Sequence, residues 1–220
     1  MTRKTKIIRP KIPKALNSAS LNSMEDNTIS MAKIEDTEIY GEEIHKLRAS
    51  QVIFRNVQFT EVSFRGIELT DVIFEKCDLS NADFTEALIH RTEFLDSKLI
   101  GFNAADSTVR NVLFSNCMAR YGSFGYSDMK NVMFKGCQLN QAEFYEANFK
   151  NLSFLKCGIN DVNFTGTSLE EVDLSTCEFE RLHVSLDKLT GCTVTAEQAV
   201  GFAKALGLKI NGENHGEDMA

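Results

Sequence analysis

The chain has 220 residues, 43% of them apolar and 25% charged, with a formal net charge of −7, six cysteines, two prolines and no tryptophan. It has no run of some 18 apolar residues, which excludes a membrane-spanning helix. The acid excess argues against a basic body that would hold nucleic acid directly.

The first segment, residues 1–31, opens with Met1–Met24, which carries six Lys or Arg and no acid. It lacks the apolar core of a secretory signal, so the sequence predicts a cytoplasmic protein with a disordered basic tail. Such a charge run also suits nucleic acid or a membrane surface. Ile34, Ile39, Ile44 and Ala49 then fall at five-residue spacing, an imperfect opening to the region that follows.

From Phe54 to Val194 every fifth residue is apolar, with no slip in phase: Phe54, Phe59, Phe64, Leu69, Phe74, Leu79, Phe84 and onward to Leu189 and Val194. Two residues before each of these central positions sits a smaller one, such as Val52, Val57, Val62, Ile67, Val72 and Ala82. A period of five is neither the 3.6 of a helix nor the 2 of a flat strand, and a fixed repeat decides the architecture before local propensity does. The fives group into twenties, since Phe54, Phe74, Phe94, Phe114, Phe134 and Phe154 are all twenty apart. Four fives per twenty make a four-sided turn. The fold expected over residues 32–194 is therefore an all-β solenoid of about seven to eight stacked coils. At the strand spacing of about 4.8 Å, the regular part forms a rod of roughly 34 Å. No single turn is stable alone, because each buries its core against its neighbours.

Cys77, Cys117, Cys137, Cys157, Cys177 and Cys192 all occupy the small position two before a central residue. There a reduced thiol packs as a small apolar group. Their spacing lacks the convergence of a metal site, so neither a metal nor a cofactor is expected. Ala104 is a small central residue whose partner Phe102 is large, a compensation that keeps the packed volume constant. Ala119, with Cys117 before it and Gly122 after it, has no such compensation and predicts a void or bend over residues 117–124. Asp187, a charge at an inward position, predicts a frayed last turn.

After Val194 the pattern changes. Thr195-Ala196-Glu197-Gln198 reads as a capping box, and Ala196, Ala199, Val200, Phe202, Ala203 and Leu206 follow helical spacing up to Gly207, a helix stop. This segment, residues 195–210, is apolar over much of its circumference. One face can cover the last coil, and the remainder suits a second copy about a two-fold axis. Val194, Ala199, Phe202, Ala203, Leu206 and Leu208 are the candidate dimer contacts. Residues 211–220 read as a flexible tail.

Cys77-Asp78-Leu79-Ser80-Asn81, Ala82-Asp83-Phe84-Thr85-Glu86 and Ala147-Asn148-Phe149-Lys150-Asn151 resemble the tandem fives of the pentapeptide repeat superfamily. That resemblance implies a right-handed quadrilateral β-helix. Gly191-Cys192-Thr193-Val194-Thr195-Ala196-Glu197-Gln198-Ala199, with Ala205-Leu206-Gly207-Leu208, is similar to the dimer-forming end of the Qnr and MfpA group. These DNA-mimicking rods bind type II topoisomerases, chiefly DNA gyrase, and protect them from fluoroquinolones. The unbroken phase leaves no room for the loops of many Qnr proteins, so the likeness is to the loopless type. The basic N-terminal tail is foreign to that pattern.

Residues 51–194 hold twenty acids against thirteen bases. That is about one net charge per 5 Å of rod, well below the one per 1.7 Å of duplex DNA. The acids concentrate late in the array: Asp161, Glu170, Glu171, Asp173, Glu178, Glu180 and Asp187 share their stretch with Arg181. Even counting flanking Lys156 and Lys188, the local density is close to one charge per ~2 Å. Such a field steers a basic, DNA-binding saddle, whereas acids on a solenoid surface also serve plain solubility. His45, His90, His183 and His215 are scattered, no nucleophile elbow or phosphate loop occurs, and no catalytic residue is assigned. The sequence thus points to a non-enzymatic homodimer. The resemblance implies that it binds DNA gyrase or topoisomerase IV, for which Asp161, Glu170, Glu171, Asp173, Glu178 and Glu180 are the candidate contacts, with a general protein-interaction scaffold as the alternative.

Overall fold

A computed structural model describes residues 6–20, 26–41, 44, 46–205 and 207–211. They form a parallel β-solenoid of about eight turns followed by one helix. Its principal sheet takes one strand from each coil in sequence order: β1 (Asn17–Ser18), β2 (Thr28–Tyr40), β3 (Arg48–Thr60), β4 (Glu68–Glu75), β5 (Leu88–Leu95), β6 (Thr108–Ser115), β7 (Asp128–Lys135) and β8 (Asn148–Leu155). From β2 to β8 the register is offset by twenty residues, pairing Phe54 with Phe74, Phe94 with Phe114 and Phe134 with Phe154. Single parallel bridges such as Asp78↔Lys98 and Asp83↔Asn103 carry the same offset around the other sides. A short pair, β9 (Asn163–Phe164) with β10 (His183–Val184), continues it near the C-terminal end.

The corners come from a second five-residue series. Asn56, Asn81, Asn111, Asn116, Asn131 and Asn151, together with Asp71, Asp96, Gly101 and Gly136, all have positive φ. Each lies three residues before a central position. Asn, Asp and Gly tolerate the left-handed region better than other residues, but the corners at Lys76, Arg91, Tyr121 and Lys156 are left-handed as well, so the repeat geometry imposes this conformation on whatever residue stands there.

Inside, the rings of Phe54, Phe74, Phe94, Phe114, Phe134 and Phe154 stack in one column, with the first two 4.8 Å apart and 6° from parallel. Burying each ring is worth about 1.5–3 kcal/mol, and ring pairing adds about 0.5–1.5 kcal/mol. The expected exchange at Ala104 holds: Phe102 places its ring 4.9 Å from Phe84 and 6.2 Å from Phe124, filling the column that Ala104 leaves open. The bend or void expected over residues 117–124 does not form. The Phe124 ring lies 3.2 Å from where a Cβ on Gly122 would sit, and the bridges Met118↔Gln138 and Ser123↔Glu143 keep the register. The thiols of Cys77, Cys117, Cys137 and Cys157 each donate to a carbonyl one coil back, for example Cys117 to Phe94 O at 3.3 Å. Burial pushes Cys77 up to about 11 and Cys177 up to about 12, so both stay protonated at neutral pH and serve packing.

Two boundaries differ from the sequence reading. The first coil begins at Thr28, not at residue 32, because Ile29 is already buried in phase with Ile34 and Ile39. Residues 8–19, expected to be a solvated tail, lie against the coil through contacts described below, and β1 pairs in parallel with Ala32 and Lys33 of β2.

At the far end the regularity fails. Thr176, Arg181 and Leu186 occupy corner positions but are not left-handed, and Asp187 is exposed in a short 3-10 turn at Leu186–Lys188. Helix α1 (Ala196–Ala205) follows. Its capping box forms as expected: Gln198 N–H donates to Thr195 Oγ1 at 3.1 Å, and Thr195 N–H donates to Gln198 Oε1 at 2.9 Å.

Candidate partner-binding surface

The six acids singled out from the sequence wrap around the last coils and do not share one side. Glu170 and Glu171 sit at the corner that leads to the side of Leu174, where Asp173 lies. Glu178 is on the next side with Phe179, while Glu180 and Asp161 are at the following corner. Glu170, Glu171, Glu178 and Glu180 are exposed, and Asp161 and Asp173 are half-buried. Asp161 Oδ1 accepts from Arg181 Nε at 2.6 Å, with His183 at 3.9 Å. Asp173 closes a local turn by accepting from Ser175 N–H at 2.9 Å and Ser175 Oγ at 2.6 Å. Four carboxylates therefore face outward with their charge available, and two are partly engaged at home.

Glu178, Glu180 and Glu197 line an open groove of about 890 Å³ between α1 and the coil, with Gln138, Asn140 and Asn160 among its walls. Gln198 does more than cap its helix. Its Nε2 donates to Leu174 O at 3.1 Å and to Cys177 O at 3.0 Å, which docks α1 onto backbone carbonyls at the end of the coil.

Elsewhere along the rod several acids are matched by bases. Arg55 bridges Glu35 and Glu75, Arg65 meets Glu86, Lys98 meets Asp78, and Arg110 meets Asp128. Because the repeat places residues twenty apart above one another, an acid and a base in adjacent coils become neighbours. The C-terminal coils carry the exposed acids Glu170, Glu171, Glu178 and Glu180.

The candidate dimer residues form the same end of the molecule. Val194, Phe202 and Ala203 are half-buried, Ala199 is exposed, and Leu208 is 58% exposed. Leu206 lies outside the described residues. Phe202 approaches Phe179 with ring centroids 5.9 Å apart. Phe179, Leu182, Val184, Leu189, Cys192 and Val194 continue the inward series but are only partly buried against the core, whereas Phe144, Ile159 and Phe164 a coil or two earlier are fully enclosed. Of the histidines, His90 and His183 lie on different sides of the coil, and His45 and His215 fall outside the described residues. Burial holds His90 below the usual histidine range, and neighbouring Arg91 pushes the same way.

The site that sequence reasoning missed is on the opposite half of the rod. Among the described residues, the buried polar groups fall into two sets. Thr92, Ser97, Ser107, Ser127 and Thr167 are inward small-position residues; Asp71, Glu93 and Asn111 point outward. All three of the latter are covered by the N-terminal segment. Ile8 N–H donates to Asn111 Oδ1 at 3.4 Å, Lys11 N–H donates to Asp71 Oδ1 at 2.9 Å, and Arg9 grips Glu93 through Nε at 2.7 Å and Nη2 at 3.1 Å. Two signals could have disclosed it. Ile7, Pro10, Pro13, Leu16 and Ala19 recur every three residues and, with Ile12, are half-buried, and Glu93 interrupts an outer row of Ile53, Ile73, Leu113 and Met133.

A family model described as pentapeptide repeat region matches residues 48–124, 67–141 and 127–201. The chain is a pentapeptide repeat protein. This pentapeptide repeat protein is 52% identical over 209 residues to the uncharacterized protein YisX of Bacillus subtilis (strain 168), covering 94% of this chain and 99% of that one. Similar solved structures include a trypsin-treated form of QnrB1, a plasmid-mediated fluoroquinolone resistance protein, at 20% identity over 82% of this chain and 90% of that chain, with TM-score 0.46. HetL, a pentapeptide repeat protein involved in heterocyst differentiation regulation from Nostoc sp. strain PCC 7120, is 12% identical over 76% of this chain and 85% of that chain, with TM-score 0.37. No helix among the described residues is long and apolar enough to cross a membrane.

Proposed function

We propose that this pentapeptide repeat protein is a non-enzymatic DNA mimic that pairs with a second copy through its C-terminal end. The dimer binds a type II topoisomerase, DNA gyrase or topoisomerase IV, in the cytoplasm and modulates it or shields it from quinolone-type inhibitors. The observation that carries this reading is the state of the last coil. Its inward residues Phe179, Leu182, Val184, Leu189 and Val194 are left half-covered beneath a helix that keeps Ala199 exposed. An uncovered apolar end on a single chain is a surface for self-association. A two-fold there would bring together two copies of the outward carboxylates Glu170, Glu171, Glu178 and Glu180 and so double the negative field at the middle of a longer rod. The sequence resemblance over Gly191–Ala199 and Ala205–Leu208 points to the same partner class.

Supercoiling by purified gyrase, with and without a fluoroquinolone, tests the target. Micromolar protein is expected to alter supercoiling or rescue the drug-treated enzyme, and the combined Glu170→Lys, Glu171→Lys, Glu178→Lys and Glu180→Lys variant is expected to lose the effect. An unchanged reaction with the unaltered protein would remove the topoisomerase from the proposal. One observation favours the alternative of a scaffold for an unrelated partner. The acids of the middle coils are tied into ladder ion pairs, so the mimicry would be confined to the C-terminal half.

A further inference from the structure

We propose that the outer face of β4–β6 is a binding site for an extended, arginine-bearing peptide, and that residues 8–13 are its tethered occupant. The geometry of the repeat sets the spacing. Asn111 and Asp71 lie two coils apart in one corner column, about 9.6 Å at the strand spacing. Ile8 and Lys11, which donate their backbone N–H groups to these two side chains, are three residues apart, about 10 Å in an extended chain. A peptide running along the rod axis therefore presents an amide to every second coil. Gln51 extends the match at the other end, where its Nε2 donates to Lys11 O at 3.3 Å. Backbone recognition of this kind is indifferent to side chains, so selectivity falls on the one side-chain contact between the anchors.

That contact is Arg9 with Glu93. Glu93 stands on the outer row of β5 and its side chain is 2% exposed, while both of its oxygens face the guanidinium. Two parallel N–H···O bonds make a directional grip that a lysine cannot reproduce. The contact holds Arg9 above its ordinary range, chiefly through the hydrogen bond. A carboxylate enclosed this far needs a cationic partner, and no other residue is shown bonding the Glu93 oxygens among the described residues. Ile73 and Leu113, half-buried in the same outer row on either side of Glu93, give the site apolar flanks. The ligand class is thus an extended segment with one arginine between small or apolar residues. The tethered strap competes with any such segment of a partner at the millimolar effective concentration typical of a short linker.

The test uses the full chain. In the double variant Arg9→Glu, Lys11→Pro, the side chain is repelled by Glu93 and the N–H that meets Asp71 is removed. A labelled synthetic peptide with the sequence of residues 6–16 is expected to bind this variant at least tenfold more tightly than it binds the unaltered chain, by fluorescence anisotropy. The same peptide carrying Arg9→Ala is expected to lose at least tenfold. Trypsin cleavage after Lys14 reports release of the strap, and should be at least tenfold faster in the double variant and in Glu93→Gln, with the β-sheet circular dichroism retained. Cleavage that stays slow would mean that these contacts do not hold the strap. Peptide binding no stronger to the opened chain than to the unaltered one would mean that the face is not a peptide site. Either result overturns the proposal.

Discussion

The two ends of this rod are finished in different ways. At the N-terminal end the chain closes its own core. Ile29, Ile34 and Ile39 are buried, β1 extends the sheet by a parallel pair, Ala19 packs on the core, and the strap runs up the outer face as far as Asn111. At the C-terminal end the corners at Thr176, Arg181 and Leu186 give up the left-handed conformation, the last inward residues are half-covered, and α1 is pinned mainly by Gln198. A solenoid must cap both faces. Doing so with its own residues at one end and leaving apolar area at the other gives the rod a polarity. The closed end is suited to independent stability, and the open end to association.

This contrast can be broken most sharply in the core. Phe114→Ala removes a ring enclosed between Phe94 and Phe134 and is expected to cost about 3–5 kcal/mol in urea unfolding. Phe179→Ala, in the half-open last coil, is expected to cost about 1–2 kcal/mol and to weaken self-association as well. Equal losses at the two positions would show that the far end is as tightly enclosed as the middle.

Next in size is the ion pair beneath the strap. Arg91 meets Asp71 through two contacts of 2.6 and 2.7 Å, with both side chains largely buried. Arg91→Ala leaves that carboxylate enclosed without its guanidinium and is expected to cost about 3 kcal/mol. The hydrogen bond from Arg91 holds Asp71 below the ordinary carboxylate range, and the Lys11 N–H adds to it. A depressed value means stability that is fully present above the unfolded pKa of about 3.9 and is lost as the pH falls through the folded value. Urea midpoints of the unaltered chain should therefore drop below pH 4 more steeply than those of Asp71→Asn. Parallel curves would remove Asp71 from the acid response.

The smallest expected effect is one of access. Burial pushes both Cys77 and Cys192 up to about 11, so a difference in their alkylation reports exposure, not acidity. In Phe202→Glu, designed to keep the chain monomeric, iodoacetamide at mildly alkaline pH should modify half-buried Cys192 at least tenfold faster than fully buried Cys77, read by peptide mass spectrometry. Similar rates would mean that the last coil is as closed as the interior.

What the sequence made legible follows from what each feature depends on. The phenylalanine column, the exchange of Phe102 for Ala104 and the Thr195–Gln198 box are local or periodic patterns, and each has one low-energy solution. The strap was not legible in the same way. Two of its anchors are backbone N–H groups that every residue but proline possesses, and its partners Asp71, Glu93 and Asn111 lie far along the chain. The irregular last coil was not legible either. The central series runs unbroken to Val194, and the corners at Lys76, Arg91, Tyr121 and Lys156 are left-handed despite bulky side chains, so residue type does not single out Thr176, Arg181 and Leu186 as the corners that are not. The acids around the C-terminal coils were readable as a group, but their spread over successive sides depends on the corner geometry. Asp173 is drawn inward by a local turn with Ser175, an interaction that charge counting passes over.

The open end is tested most directly by the mass of the full chain in dilute solution, measured by multi-angle light scattering. Twice 24.6 kDa is expected, falling to 24.6 kDa in Phe202→Glu. A mass of 24.6 kDa for the unaltered chain would contradict the two-fold C-terminal end, and with it the doubled acidic centre on which the proposed partner depends.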